Sequence, residues 1–188
     1  VELVARDCPM LSDINSMGAN LLPHTYLNKL DLSGCTALSG NLNIQNSPLL
    51  IHLDVSRTGL TGINLPNAVK NMERMVFSEC PNITAINMPN LYMPRLNGCN
   101  DMFKGCTNLK TVNLKGWVTP NITETNDMFS NCSSLTTLNL SNWDVSSITS
   151  ANNMFNGCSS VIDVTPPKNL LISHDISSMV LLSGNEVL

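Results

Sequence analysis

Residues 128–140 of the chain read Met-Phe-Ser-Asn-Cys-Ser-Ser-Leu-Thr-Thr-Leu-Asn-Leu, and this stretch decides the fold. Its Met-Phe-x-x-Cys opening recurs 26 residues earlier, from Met102, and 26 residues later, from Met154. The leucines that follow have the spacing L-x-x-L-x-L, which places apolar side chains on the inward side of a short strand. Similar units at a fixed period predict a stack of repeats in which each unit buries its apolar side against the next.

Looser and shorter copies of the unit extend towards the N-terminus. The predicted units lie near residues 1–26, 27–49, 50–71, 72–97, 98–123, 124–149 and 150–165. We therefore predict a β-rich leucine-rich-repeat solenoid of about seven coils of 22–26 residues, with parallel strands, turns and short 3₁₀ segments. Pro166 and Pro167 stand where the next leucine is expected, so residues 166–188 are interpreted as a C-terminal cap or the start of a truncated segment.

The composition agrees with such a stack and argues against several other classes of protein. Of the 188 residues, 43% are hydrophobic but only 13% are charged, and the net charge is −4. The leucine content argues against a disordered chain, and the negative charge argues against a nucleic-acid-binding module. No apolar run approaches the roughly 20 residues of a transmembrane helix. Few charges are expected in a stack, because like charges on adjacent strands are destabilising.

The seven cysteines fall into one repeat column and one outlier. The column consists of Cys8, Cys35, Cys80, Cys106, Cys132 and Cys158, and Cys99 lies outside it. Side chains in register on adjacent coils stand about 4.8 Å apart, whereas a disulfide needs a Cβ separation of about 3.8 Å. We therefore favour buried free thiols, and a bridge between Cys99 and Cys106 stays open. We expect no metal site, because no C-x-x-C pair is present and the three histidines are far apart in sequence.

The outward positions of the predicted strands carry a polar column with hydroxyl and amino groups beside it. These residues are Asn43, Asn64, Asn87, Asn113, Asn139, Thr111, Thr137 and Lys115. Two interpretations stay open. The column is either a solvated ladder that stabilises stacking and protects strand edges, or a polar binding face for glycans or proteins.

The aromatic residues also repeat. Phe103, Phe129 and Phe155 occupy a predicted core position. Trp117 and Trp143 form a short column that is a candidate sugar platform, with packing inside a turn as the alternative. No nucleophile elbow, phosphate loop or zinc-protease motif is present, so we expect neither catalysis nor a cofactor.

The stretch from 128 to 149 resembles the repeat of BspA-like bacterial surface proteins, which reads roughly M-F-x-x-C-x-x-L-x-x-L-x-L-S-x-W-D. The similarity is close over residues 98–165 and looser over 72–97. Residues 27–71 are more similar to the shorter leucine-rich repeats of Bacteroides-type secreted proteins. The resemblance implies a curved solenoid that is secreted or held at the cell surface and has no catalytic residues. It further implies adhesion to a protein or glycan on host, matrix or neighbouring cells.

Two functional hypotheses follow from the sequence. The first is a non-catalytic recognition or adhesion module, extracellular or at a bacterial cell surface, that binds a protein or glycan through its strand face. The second is a structural spacer or assembly component of a bacterial envelope or phage particle, docked end to end with neighbouring domains. The apolar tail after Pro167 and a first unit that opens within a coil favour the second. A carbohydrate-active accessory domain would require Trp117 and Trp143 to be exposed.

Overall fold

A computed structural model of the chain describes residues 1–13, 26–66 and 68–169. Each strand is short, because only one or two inward residues separate the turns of each coil. The strands are β1 (Glu2–Val4), β2 (Lys29–Asp31), β3 (Ser39–Asn43), β4 (His52–Asp54), β5 (Gly59–Asn64), β6 (Arg74–Val76), β7 (Ala85–Asn87), β8 (Thr111–Asn113), β9 (Thr137–Asn139) and β10 (Asp163–Thr165). Within these residues the structure contains strands and turns but no helix, and therefore no helix that could cross a membrane.

All strand pairs are parallel and join equivalent positions of successive coils. The sheets have the orders β1-β2-β4-β6, β3-β5 and β10-β9-β8-β7. Leu138, for example, lies in register with Val112 on one side and Val164 on the other. This confirms the predicted solenoid of parallel strands.

The described chain makes about six turns, whereas the sequence predicted about seven coils. One column of backbone hydrogen bonds steps from coil to coil six times, beginning with the amide of Ala5 on the carbonyl of Asp31 and ending with the amide of Phe129 on Met154. Of the first predicted unit, 1–26, the structure describes residues 1–13 and 26, and the last predicted unit, 150–165, is shorter than the others, so the count of described turns is lower. Stacking continues past Pro166 and Pro167, because Lys168 forms a parallel bridge with Asp144.

The predicted 3₁₀ segments are wrong for the described residues, which instead turn at isolated corners with positive φ. One such corner precedes the cysteine column in every coil: Asp7, Gly34, Arg57, Glu79, Gly105, Asn131 and Gly157. Two further corners recur in the longer coils: Asp101, Asp127 and Asn153, then Asn90, Gly116 and Asn142. At each corner the backbone adopts the left-handed conformation, with positive φ, and glycine, asparagine and aspartate tolerate this conformation best.

The core is a set of stacked columns. Leu138, Val112 and Leu114 are 0–1% exposed. Phe77, Phe103, Phe129 and Phe155 stack along the axis with ring centroids 5.4, 5.4 and 5.5 Å apart. The neighbouring Met102, Met128 and Met154 are also fully buried.

The sheet ladders are interrupted where the shorter coils give way to coils of 26 residues. The first interruption follows β6, which is the last strand of its sheet. The second lies between β5 and β7, which are on the same side of successive coils but are not joined by a ladder. A repeat whose length changes cannot keep every side of the coil in register. The two interruptions leave two grooves.

Candidate functional site

The predicted polar column divides between two sheets. Asn43 and Asn64 pair on β3 and β5, whereas Asn87, Asn113 and Asn139 form a continuous row on β7, β8 and β9. We call this second row, together with Thr111, Thr137 and Lys115, the strand face. Its residues point outward, since they alternate with buried residues, and they are exposed or half-buried.

The row of asparagines is hydrogen-bonded to itself and to the turns that follow it. The side-chain amide of Asn113 donates to Oδ1 of Asn87 at 2.8 Å. Oδ1 of Asn113 accepts the backbone N–H of Lys115 at 3.2 Å, and Oδ1 of Asn139 accepts that of Ser141 at 3.0 Å. The Oδ1 atoms of Asn113 and Asn139 therefore close the turns after their strands, as asparagine commonly does. These hydrogen bonds are of the kind that the ladder interpretation predicts. Thr111 and Thr137 lie beside the asparagines on the same side of the sheet.

Aspartates take the same turn-closing role in other coils. Oδ1 of Asp31 accepts the backbone N–H of Ser33 at 3.3 Å, and Oδ1 of Asp54 accepts that of Ser56 at 3.0 Å, and each oxygen also accepts the hydroxyl of the same serine. Burial acts to raise the pKa of Asp31, but the hydrogen bonds from Ser33 and Arg6 outweigh it and lower that pKa. A carboxylate is thus an accepted substitute for the asparagine amide at the end of these strands.

The cysteine column is structural. All seven thiols are free. Sγ of Cys106 donates to the carbonyl of Phe77 at 3.1 Å, and Sγ of Cys158 donates to that of Phe129 at 3.0 Å, so each thiol bonds to the preceding coil. Burial raises the pKa of Cys106 to about 12 and that of Cys158 to about 11. These groups are protonated donors at neutral pH, whereas nucleophiles and metal ligands require thiolate.

Two predictions about individual cysteines are corrected. The bridge between Cys99 and Cys106 is not formed, and Cys99 is a buried free thiol. Cys8 is exposed rather than buried, because no described coil covers its outer side, and its thiol donates to the carbonyl of Arg6 at 3.3 Å. Within the described ranges, no three His, Cys, Asp or Glu side chains are grouped so that they could hold a metal ion. His24 and His174 lie outside those ranges.

The candidate sugar platform is also corrected. Trp117 and Trp143 are 1% and 0% exposed and meet edge to face at 5.6 Å, so neither presents a ring face to a sugar. Nε1 of Trp117 donates to the carbonyl of Met88 at 2.6 Å, and Nε1 of Trp143 donates to Oγ1 of Thr119 at 2.9 Å. Inside the core the apolar ring of each indole is packed and its one polar N–H is hydrogen-bonded. The accessory-domain hypothesis loses its basis.

The two grooves were missed by the sequence analysis. One, of about 370 Å³, lies beside Glu73–Val76 and is polar. The other, of about 410 Å³, lies between β5 and β7. The signal that could have indicated them is the change in repeat period near residue 72, since an altered coil length breaks at least one ladder.

Comparison with known proteins gives one match. A family model described as "Mycoplasma protein of unknown function, DUF285" matches residues 63–165, which is more than half of the chain. The matched range runs from β5 to β10 and includes the whole strand face. No curated protein and no solved structure matches the chain.

Proposed function

Because the chain belongs to the DUF285 family, whose function is unknown, and presents a polar row across one of its two four-stranded sheets, we propose that it is a recognition module. The module acts without catalysis and binds a protein or glycan partner through the strand face. The observation that carries the proposal is the outward row Asn87, Asn113 and Asn139, held in register on three parallel strands.

Regular spacing is the property that suits this face to recognition. Equivalent groups on adjacent strands recur about every 4.8 Å, so amide and hydroxyl groups form a rigid grid. Repeat proteins commonly bind through extended surfaces of this kind. The Oδ1 atoms of Asn113 and Asn139 accept backbone N–H groups of the following turns, which fixes the orientation of these amides. The hydroxyl groups of Thr111 and Thr137 can still rotate to suit a partner. Lys115 is the one cation in this set, so binding should depend only weakly on salt.

The finer proposal concerns setting and partner. The resemblance of residues 98–165 to BspA-like repeats supports a secreted or cell-surface location and adhesion to host, matrix or neighbouring cells. Localisation is tested by adding a protease to intact cells that produce the protein. A surface protein is degraded under these conditions, while a cytoplasmic marker survives.

The binding proposal is tested with a glycan array and a panel of immobilised extracellular-matrix proteins, followed by affinity measurement on each hit. We expect the double substitution Thr111→Glu with Thr137→Glu to weaken binding at least tenfold, because it adds two charges to the grid. Asn113→Asp should also weaken binding, because it replaces the amide that donates to Oδ1 of Asn87 with a carboxylate. The fold should be kept, since the carboxylates of Asp31 and Asp54 close turns of the same kind on the other four-stranded sheet.

The matched control is Thr107→Glu with Ser159→Glu, at exposed positions that directly follow Cys106 and Cys158 and lie outside the strand face. It adds the same charge elsewhere and should leave binding unchanged. Equal loss in both double variants would contradict a specific face. If no partner binds, or binding survives the strand-face variants, the second hypothesis of a structural spacer in an envelope or phage particle is favoured instead.

A further inference from the structure

The groove between the C-terminal half of β5 and β7 has an unpaired strand edge on each side. At the start of β5 the coils are in contact, because the carbonyl of Gly59 accepts the side-chain amide of Asn82 at 3.2 Å. The carbonyl of Asn64 accepts the amide of Ile44 at 3.0 Å, so the backbone groups of Asn64 point towards β3. Successive residues of a strand direct their backbone groups to opposite sides. The N–H and C=O groups of Ile63, and the N–H of Leu65, therefore point towards β7.

The facing edge follows from the same argument. The amide of Met88 donates to the carbonyl of Asn113 at 3.0 Å, so Met88 and Ile86 direct their backbone groups to β8. The backbone groups of Ala85 and Asn87 then point towards β5. Since no ladder joins β5 and β7, both edges offer donors and acceptors to the same space.

The split also uncovers apolar side chains. Ile63 and Leu65 occupy the inward positions of β5 and the residue after it, yet both are only partly buried against the core. Inward residues at equivalent positions on the intact ladders are 0–1% exposed: Leu42, Ile44, Val112 and Leu114. A further strand in the groove would cover the two partly exposed side chains, as adjacent strands cover the equivalent residues on the intact ladders.

We propose that this groove binds an extended segment of a partner polypeptide, which adds one parallel strand and joins β5 to β7. The segment alternates apolar and uncharged polar residues, because its inward side chains meet the core and its outward ones align with Asn64 and Asn87. None of the described residues that line the groove is charged, and its polar side chains are amides, including Gln45 and Asn90. The volume of about 410 Å³ lies within the range of ligand sites, about 300–1,000 Å³.

The two-sided geometry selects the occupant. A strand at the edge of a folded sheet already has a neighbour and keeps one free edge, so it can pair with β5 or with β7 but not with both. Only a segment whose two edges are free can be bonded from both sides. An extended, unpaired peptide therefore fits the groove, whereas the folded edge of a second copy does not. Main-chain pairing of this kind gives affinity, and the side-chain alternation gives selectivity.

The experiment uses the full chain and a fluorescein-labelled peptide with the sequence of residues 135–142, Leu-Thr-Thr-Leu-Asn-Leu-Ser-Asn, which includes β9 and is uncharged. We expect saturable binding by fluorescence anisotropy that changes little with salt. In the solenoid the amide of Leu140 faces the following strand, where it donates to Thr165. N-methylation of the peptide at its second and third leucines should thus remove bonds to β7, and N-methylation at its second threonine and first asparagine should remove bonds to β5.

Each pair of N-methyl groups should weaken binding at least tenfold, and so should a scrambled peptide without alternation. The variant Leu65→Pro removes an amide that faces the groove and spares the bond between Asn64 and Ile44, so it should also weaken binding. Should this variant unfold, amide exchange in the wild-type chain gives an independent reading. The amides of Ile63 and Ala85 should exchange at least tenfold more slowly with peptide bound.

Several results would overturn the proposal: no saturable binding, equal binding of the scrambled peptide, loss from only one pair of N-methyl groups, or unchanged exchange at Ile63 and Ala85. Concentration-dependent dimerisation that the peptide reverses would make a second copy the occupant. Thr111→Glu with Thr137→Glu should leave peptide binding intact, because the strand face and the groove are separate. Failure of the strand-face proposal is thereby distinguishable from failure of this one.

Discussion

The phenylalanine stack makes a quantitative prediction about stability, because its members differ in the number of rings they touch. Phe129 lies between Phe103 and Phe155, with centroid distances of 5.4 and 5.5 Å. Phe77 has one ring neighbour, Phe103 at 5.4 Å. Both Phe77 and Phe129 are 0% exposed, so replacement by leucine costs similar burial at the two sites. An aromatic pair contributes about 0.5–1.5 kcal/mol beyond burial.

We therefore expect Phe129→Leu to lower the free energy of unfolding by about 0.5–1.5 kcal/mol more than Phe77→Leu, which is the value of one ring pair. Urea titration followed by far-ultraviolet circular dichroism measures both values, with a reductant present to keep the thiols free. Tryptophan fluorescence should give the same midpoint, as a two-state transition requires. Phe103→Leu, which also removes two ring pairs, serves as the matched control and should resemble Phe129→Leu.

An equal or larger effect of Phe77→Leu would refute the reasoning. It would mean that local packing rather than ring stacking sets the cost along this column. A difference between Phe103→Leu and Phe129→Leu of more than about 1.5 kcal/mol would refute it as well, since their ring environments match.

Three further predictions concern the corners, the indoles and the thiols. Glu79 has φ of 56°, so Glu79→Gly should relieve strain and raise the unfolding free energy by about 1 kcal/mol, whereas Glu79→Ala should not. Trp143→Phe leaves the buried hydroxyl of Thr119 without its donor and should cost about 1–3 kcal/mol in urea titrations, part of which Thr119→Val should restore. Burial raises the pKa of Cys158 from 9.0 to about 11, so stability should be complete below pH 9 and fall between pH 9 and 11 by about 1.4 kcal/mol per pH unit for this thiol. In pH-dependent melts, Cys158→Ala should reduce that slope, and in the native chain a thiol reagent should label Cys8 before any buried cysteine.

Much of the fold could be predicted from the sequence because each coil is built from local contacts between equivalent positions. The spacing of Leu135, Leu138 and Leu140 requires an inward ladder, and the 26-residue recurrence places each ladder over the previous one. Asparagine has a second role, outside the strand face, that the sequence analysis did not predict. Asn131 and Asn142 form corners with positive φ, which a search for residues preceding cysteine and tryptophan could have indicated.

The candidate site was less predictable, because exposure depends on neighbours that are distant in sequence. Trp117 and Trp143 repeat as regularly as any outward column, yet the carbonyl of Met88 and the hydroxyl of Thr119 receive their N–H groups inside the core. No pattern within one repeat reports such a partner.

The repeat period, the inward columns and the parallel pairing are properties of the chain itself, since a unit with an L-x-x-L-x-L ladder can bury its apolar side only against a copy of itself. The exposure of Cys8, the burial of the indoles and the break between β5 and β7 arise only when the coils are stacked. The length of each coil can be read from the sequence. When successive coils differ in length, one strand ladder is broken, and which ladder it is depends on the contacts that form in the assembled core. In this structure the phenylalanine column is continuous from Phe77 onward, whereas β5, which contains Ile63 and precedes Leu65, is not paired with β7.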